Sequence, residues 1–240
     1  IDKILVFDNQ LVNENEILAI ISNTSNYKDV IYVSHLLDSI QLYSLFFDTS
    51  IVKYFDKYLI LGEIQTNFNL LKKNYSDYYN FCYLNYHKNK IEAIKSEINV
   101  IQEYITSQKS QNNILESELQ IYKKQVFRDS SLLLTGAISQ AEFEITQSNF
   151  LQKKYILQNA KTNLINSKVQ ISQLYQSIFD LELAYKNEKN LLESELIKSF
   201  DLLENNIIQW EYNYILRTPI NGYISFSKVW SKNQNVIAGD

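Results

Sequence analysis

The sequence has no methionine, one proline, one cysteine, two histidines and four glycines among 240 residues. Each shortage excludes something. Glycine and proline make turns, so a chain this poor in both is built from few and long elements. Pro219 stands near the end and leaves a stretch of roughly 200 residues without the strongest helix breaker. A single cysteine cannot form an internal disulfide, and the setting of Cys82, between Phe81 and Tyr83, predicts a thiol packed on a helix face. His35 and His87 lie far apart, with no paired cysteines and no metal-ligand spacing around them. Four glycines do not make a phosphate-cradling loop. No catalytic residue, no metal and no cofactor is expected, and the chain is not expected to be an enzyme. No apolar run approaches about 18 residues, so no segment is expected to span a membrane. The absence of methionine leads to the expectation of an excised or processed piece, with any anchor outside it. Net charge is −4, with acids and bases interspersed, which gives no basic footprint for a nucleic acid.

What is present divides into two short β-rich ends and a long helical middle. At the start, Ile4, Val6, Leu11, Val12, Ile17, Leu18 and Ile20 come in short runs broken by Asp8-Asn9-Gln10 and Asn13-Glu14-Asn15-Glu16. At the other end, Pro219 to Gly222 signals a turn, Tyr223 to Trp230 a strand, and Ser231 to Asn235 a further turn. Neither end buries enough to fold alone, so the two are expected to form one small β-domain. That requires the middle to leave and return to the same place.

The middle has the periodicity to do so. Ile91, Ile94, Ile98, Ile101 and Ile105 open a heptad that continues through Leu115, Leu119, Tyr122 and Val126, with Gln108 and Asn112 as polar exceptions. A second heptad runs from Leu157 through Leu164, Ile171, Ile178 and Tyr185, slips at Leu192, Leu196 and Phe200, and resumes at Leu203, Ile207 and Trp210. Two apolar positions in seven make the narrow seam of a coiled coil, and the slip has the spacing of a stutter. Between the runs, Thr135-Gly136 supplies a left-handed turn, and Ser139 with Glu142 makes a capping box that starts the next helix. From that turn the arms reach back to about Leu61 and forward to about Tyr212, some 110 Å each at helical rise. The expected fold is mainly α: a long antiparallel coiled-coil hairpin inserted between two halves of a small β-domain. The halves are residues 1–25 and 213–240. Residues 26–60 hold a short basal helix, from Tyr27 to about Phe47, and a connector. The hairpin is 61–212, with its tip near 133–139.

This pattern resembles the haemolysin-D-like periplasmic adaptors, or membrane-fusion proteins, of bacterial export machines, and the resemblance covers essentially the whole chain. The split β-domain is similar to their lipoyl-like domain. Its second half, Leu216-Arg217-Thr218-Pro219-Ile220-Asn221-Gly222, is close to the family's opening of that segment, and Val236 to Gly239-Asp240 to its close. In the first half, Asn15 stands where the family has a glycine. At the tip, Arg128, Leu132 and Ser139 have the spacing by which such adaptors dock onto a TolC-like outer-membrane channel. The resemblance implies an inner-membrane partner, most readily an ABC transporter of type I secretion, and a homo-oligomeric ring, usually a hexamer. It also implies a periplasmic location in a Gram-negative bacterium, with a membrane anchor and a further barrel outside this chain. Each tip residue also has a plainer reading. Arg128 complements a helix dipole, Leu132 continues the seam, and Ser139 caps its own helix. Two other readings stay open: a structural coiled coil or helical toxin with incidental β-ends, and a lipoyl or biotinyl carrier, for which Lys28 is the nearest lysine after the first half.

Overall fold

A computed structural model describes residues 1–39, 55 and 57–226. Its order is β1 (Lys3–Ile4), β2 (Leu11–Val12), β3 (Ile17–Ile20), α1 (Tyr27–Ser39), a 3-10 turn (Gly62–Ile64), α2 (Gln65–Leu84), α3 (Tyr86–Leu134), α4 (Gln140–Tyr214), β4 (Ile215–Arg217) and β5 (Gly222–Tyr223). The fold is the one the sequence implies: a helical hairpin, with a short helix at its base, set between two halves of a small β-domain. The chain forms two compact units, Ile1–Leu84 with Asn187–Asp240, and Asn85–Lys186.

In the first unit the two β-rich halves meet. β3 of the first half pairs antiparallel with β4 of the second, joining Ile20 to Ile215 and Ile17 to Arg217 across a bulge. β2 pairs with β5, Val12 opposite Gly222. The turn before β3 explains the asparagine at position 15, because its φ is +70°, in the left-handed region that glycine or asparagine fills at least cost. Thr218 ties the halves together. Its hydroxyl donates to the Asn13 carbonyl and accepts from the Glu16 N–H, and its own N–H donates to the Glu16 carbonyl. Thr218 is buried, so these bonds meet little competition from water. Pro219 is exposed beside it. Of the expected strand from Tyr223 to Trp230, only residues to Phe226 are described. The turn at Ser231 to Asn235, Gly239 and the end of the basal helix beyond Ser39 lie outside the described residues.

Beneath the strands lies a wide core. α1 contributes Val30, Val33, Leu36 and Leu37, while α2 contributes Phe68, Leu71, Tyr75 and Tyr78. α4 contributes Leu196, Phe200, Leu203, Ile207 and Trp210. The heptad slip at Leu192–Phe200 falls in the α4 segment that joins this multi-helix core, and the helix runs through it unbroken. Asn26 starts α1, its side-chain oxygen accepting from the Lys28 N–H at 3.1 Å. Cys82 corrects the sequence reading: its thiol is exposed. The buried stripe of α2 stops at Tyr78, one turn before it. Burial, with Cys82 and Glu193 close by, pushes the Tyr78 hydroxyl up from its ordinary pKa.

The second unit is a two-helix coil of α3 against the first part of α4. The named seam positions are buried or half-buried along both helices, with Ile91, Ile98 and Ile178 packed as a cluster. Buried Asn112 holds a side-chain oxygen with no hydrogen-bond partner. The first arm is two helices in sequence, α2 and α3. Asn85 separates α2 from α3 with φ +47° and ψ 32°. A left-handed residue cannot continue a right-handed helix, so a break stands where the sequence reading carried the arm through.

Candidate functional site: the hairpin tip

The end of α3 is closed by its own backbone. Gly136 has φ +73°, its N–H donates to the Leu133 carbonyl at 3.0 Å, and the Ala137 N–H donates to the Leu132 carbonyl at 2.9 Å. This pair of bonds is a Schellman motif, which satisfies carbonyls the helix would otherwise leave open. The Thr135 hydroxyl adds a bond to the Leu132 carbonyl at 2.9 Å. A Cβ placed on Gly136 would meet nothing within 4 Å, so the backbone angle alone calls for glycine there.

Three residues on, α4 starts with a reciprocal cap. The Ser139 hydroxyl accepts from the Glu142 N–H at 3.2 Å, and the Glu142 carboxylate accepts from the Ser139 N–H at 2.7 Å. It also accepts from the Ser139 hydroxyl at 2.9 Å. These bonds, the backbone one foremost, hold the Glu142 carboxyl below its ordinary pKa. Just behind the turn, buried Thr146 donates its hydroxyl to Asp129 at 2.8 Å and so cross-links the two helices.

The tip is thus rigid in its backbone and open in its side chains. The Arg128 side chain is 69% exposed, and its Nε lies 3.6 Å from Asp129, a weak contact that leaves most of the guanidinium facing solvent. Leu132 lies at the edge of the seam, 38% exposed, and Ser139 is exposed while serving as the cap. These three residues sit on one tip, Arg128 and Leu132 on the last two turns of α3 and Ser139 at the N-cap of α4. Two residues escaped the sequence reading. Leu134, two residues before Gly136, is 90% exposed, and Phe127, about two turns further back on α3, is 77% exposed. Leu134 had a signal, being an apolar residue one position from the capping turn and off the seam.

The other sequence candidates lie elsewhere. Pro219 and Gly222 belong to the β-domain, and Lys28 to the first turn of α1. Among the described residues, no group of three or more His, Cys, Asp or Glu is placed to hold a metal ion, and no helix is long and apolar enough to cross a membrane.

No family description matches the chain, and no curated protein matches it in sequence. Solved structures do. The soluble domain of LipC, a membrane fusion protein of a type I secretion system, is 13% identical with a TM-score of 0.65, covering all of this chain and 92% of that one. The periplasmic adaptor protein EmrA is 18% identical and covers all of this chain, which spans 66% of that protein's length. Its TM-score of 0.35 is too low to bear on the fold. The chain has the fold of the soluble domain of a membrane-fusion protein: a helical hairpin set into a split β-domain.

Proposed function

We propose that this chain is the periplasmic part of a non-catalytic adaptor of the haemolysin-D-like family, and that its hairpin tip docks onto a TolC-like outer-membrane channel. The observation that carries the reading is the division of labour at the tip. The Schellman motif and the capping box satisfy the helix ends internally, which leaves the Arg128 guanidinium and the Leu134 side chain facing solvent and Leu132 part-exposed at the edge of the seam. An exposed guanidinium flanked by exposed leucines suits an end-on contact with another helical tip, where carbonyls and carboxylates accept from its fork of donors and apolar notches take the leucines. The likeness to LipC over nearly its full length supports an export role, and an ABC transporter of type I secretion is the partner that likeness favours at the inner membrane. A homo-oligomeric ring, hexameric as in the family, completes the proposal. The test is export by the Arg128→Ala, Leu132→Ala double variant. Export falls to background while helicity is retained, because Arg128 is largely exposed and Leu132 lies only at the edge of the seam. Normal secretion by that variant would sink the docking reading.

A further inference from the structure

Each layer of a two-helix seam is held by few side chains, so a run of poor layers weakens the pair at one level only. The Thr146–Asp129 hydrogen bond near the tip and the packing of Ile98 with Ile178 in one cluster fix which seam residues of α3 and α4 lie level. Counted from those two points, every seam residue from Ile91 to Ile105 on α3 meets an apolar or aromatic one between Ile171 and Tyr185 on α4. The next three layers break that rule. Gln108 lies level with Ser167, Asn112 with Leu164, and Leu115 with Ala160. Past them, Leu119 meets Leu157 and Val126 meets Phe150.

The three layers fail in different ways. The first is polar on both sides, with Gln108 and Ser167 half-buried. In the second, Asn112 is 6% exposed and its Oδ1 accepts no hydrogen bond, so a desolvated oxygen faces a leucine. In the third, Ala160 is too short to fill the space that leucine or isoleucine fills elsewhere. The polar layer near the tip differs, because Thr146 completes its hydrogen bond to Asp129 at 2.8 Å. The helices themselves weaken at the same level. Thr106 and Ser117 on α3, and Thr162 and Ser167 on α4, each turn a hydroxyl back to the carbonyl four residues earlier, at 2.9 to 3.2 Å. Such bonds compete for helical carbonyls and bend a helix slightly. Between Ile91 and Ile105, and between Ile171 and Tyr185, each helix makes one, at Ser96 and Ser177. One contact opposes the trend. Lys161 and Glu116 pair at 2.5 Å beside the third layer, but both side chains are about half exposed, so water competes and the pair adds little.

We infer that these three layers form a joint, where the hairpin loosens first while the blocks on either side stay closed. Local opening follows the distribution of buried apolar contact, and the joint has less of it than either flank. A rod held at its tip takes up strain where its layers are weakest, so the joint lets the tip adjust to a partner without disturbing the firm block of isoleucines. That use rests on the docking reading, whereas the joint itself does not.

Native-state hydrogen exchange of the full chain is the test. Protection factors at 108–116 and 160–168 are about tenfold lower, or more, than at 94–104 with 171–181 and at 119–126 with 150–157, the effect expected of one unsatisfied buried polar group. The variant Gln108→Leu, Asn112→Ile, Ser167→Leu fills the layers and brings the joint level with its flanks. If that variant self-associates, Asn112→Leu alone is read, and it narrows the difference about threefold or more. Even protection along the parent hairpin, or a dip that survives these substitutions, overturns the inference. Neither result bears on the tip, which is read by export.

Discussion

The two units are built from the same helix α4, yet they hold together by different means. In the β-domain unit, Leu61, Leu71, Leu196, Leu203 and Trp210 are no more than 1% exposed. In the hairpin the best-covered apolar seam residues, Ile98, Leu157, Ile91, Ile105 and Ile178, keep 3–8%. Three helices and a sheet can surround a side chain, whereas two helices leave every layer open at its edges. The first unit therefore concentrates its stability in a few sites. The hairpin spreads it over many thin layers, tolerates polar ones such as Asn112 and Thr146, and keeps most of its surface available for partners.

Substitutions can break that comparison. Leu203→Ala empties a fully enclosed site and costs about 4 kcal/mol by denaturant melting. Ile98→Ala, from a layer open to water at its sides, costs about 2 kcal/mol. Equal losses would mean that the hairpin is as cooperative as the base. Glycines give a second contrast. Gly62 has φ +54°, and a Cβ there would run into the side chains of Thr24 and Ser25, so Gly62→Ala adds a clash to the backbone strain. Gly136→Ala meets only the strain and costs about 1 kcal/mol, the smaller of the two. Asn112→Leu has the opposite sign. It removes a buried oxygen that lacks a partner and stabilises the hairpin by about 1 kcal/mol, seen as a raised melting temperature. The smallest effect is the pH response of the tip. The folded-state pKa of Glu142 is depressed, so its stabilising contribution is complete above the ordinary carboxylate value of 4.5 and fades as pH falls through the lowered one. Protection of the Ser139 amide, its exchange rate relative to the intrinsic rate at the same pH, should fall as pH drops through that value and stay constant above it.

The parts of this architecture that depend on local or periodic chemistry were legible in the sequence. A seam of two positions in seven announces a coiled coil, and a serine three residues before a glutamate announces a cap. That the two β-rich ends meet followed from the equal arms, but the strand at Ile215–Arg217, its pairing with β3 and the bulge beside Ile17 did not, because so short a strand leaves no alternation to read. The break at Asn85 was hidden for a different reason. Asparagine enters the left-handed region without glycine or proline nearby. One sign was present: continuing the α2 stripe of Leu71, Tyr75 and Tyr78 would bring the seam to position 92, and it falls one residue earlier, at Ile91. Cys82 was misjudged because sequence shows which face a residue shares but not where the core beneath that face ends. At the tip, the turn and the cap could be read from residue types, whereas the exposure of Leu134 depends on where the seam closes.

Docking of the hairpin tip on an outer-membrane channel, as proposed, places Leu132 against the channel protein. A photoreactive residue at position 132 in the producing cell should then form an adduct with that protein, and one at Ile114, halfway along the hairpin, should form none. Undiminished export with no channel adduct from the tip would contradict it.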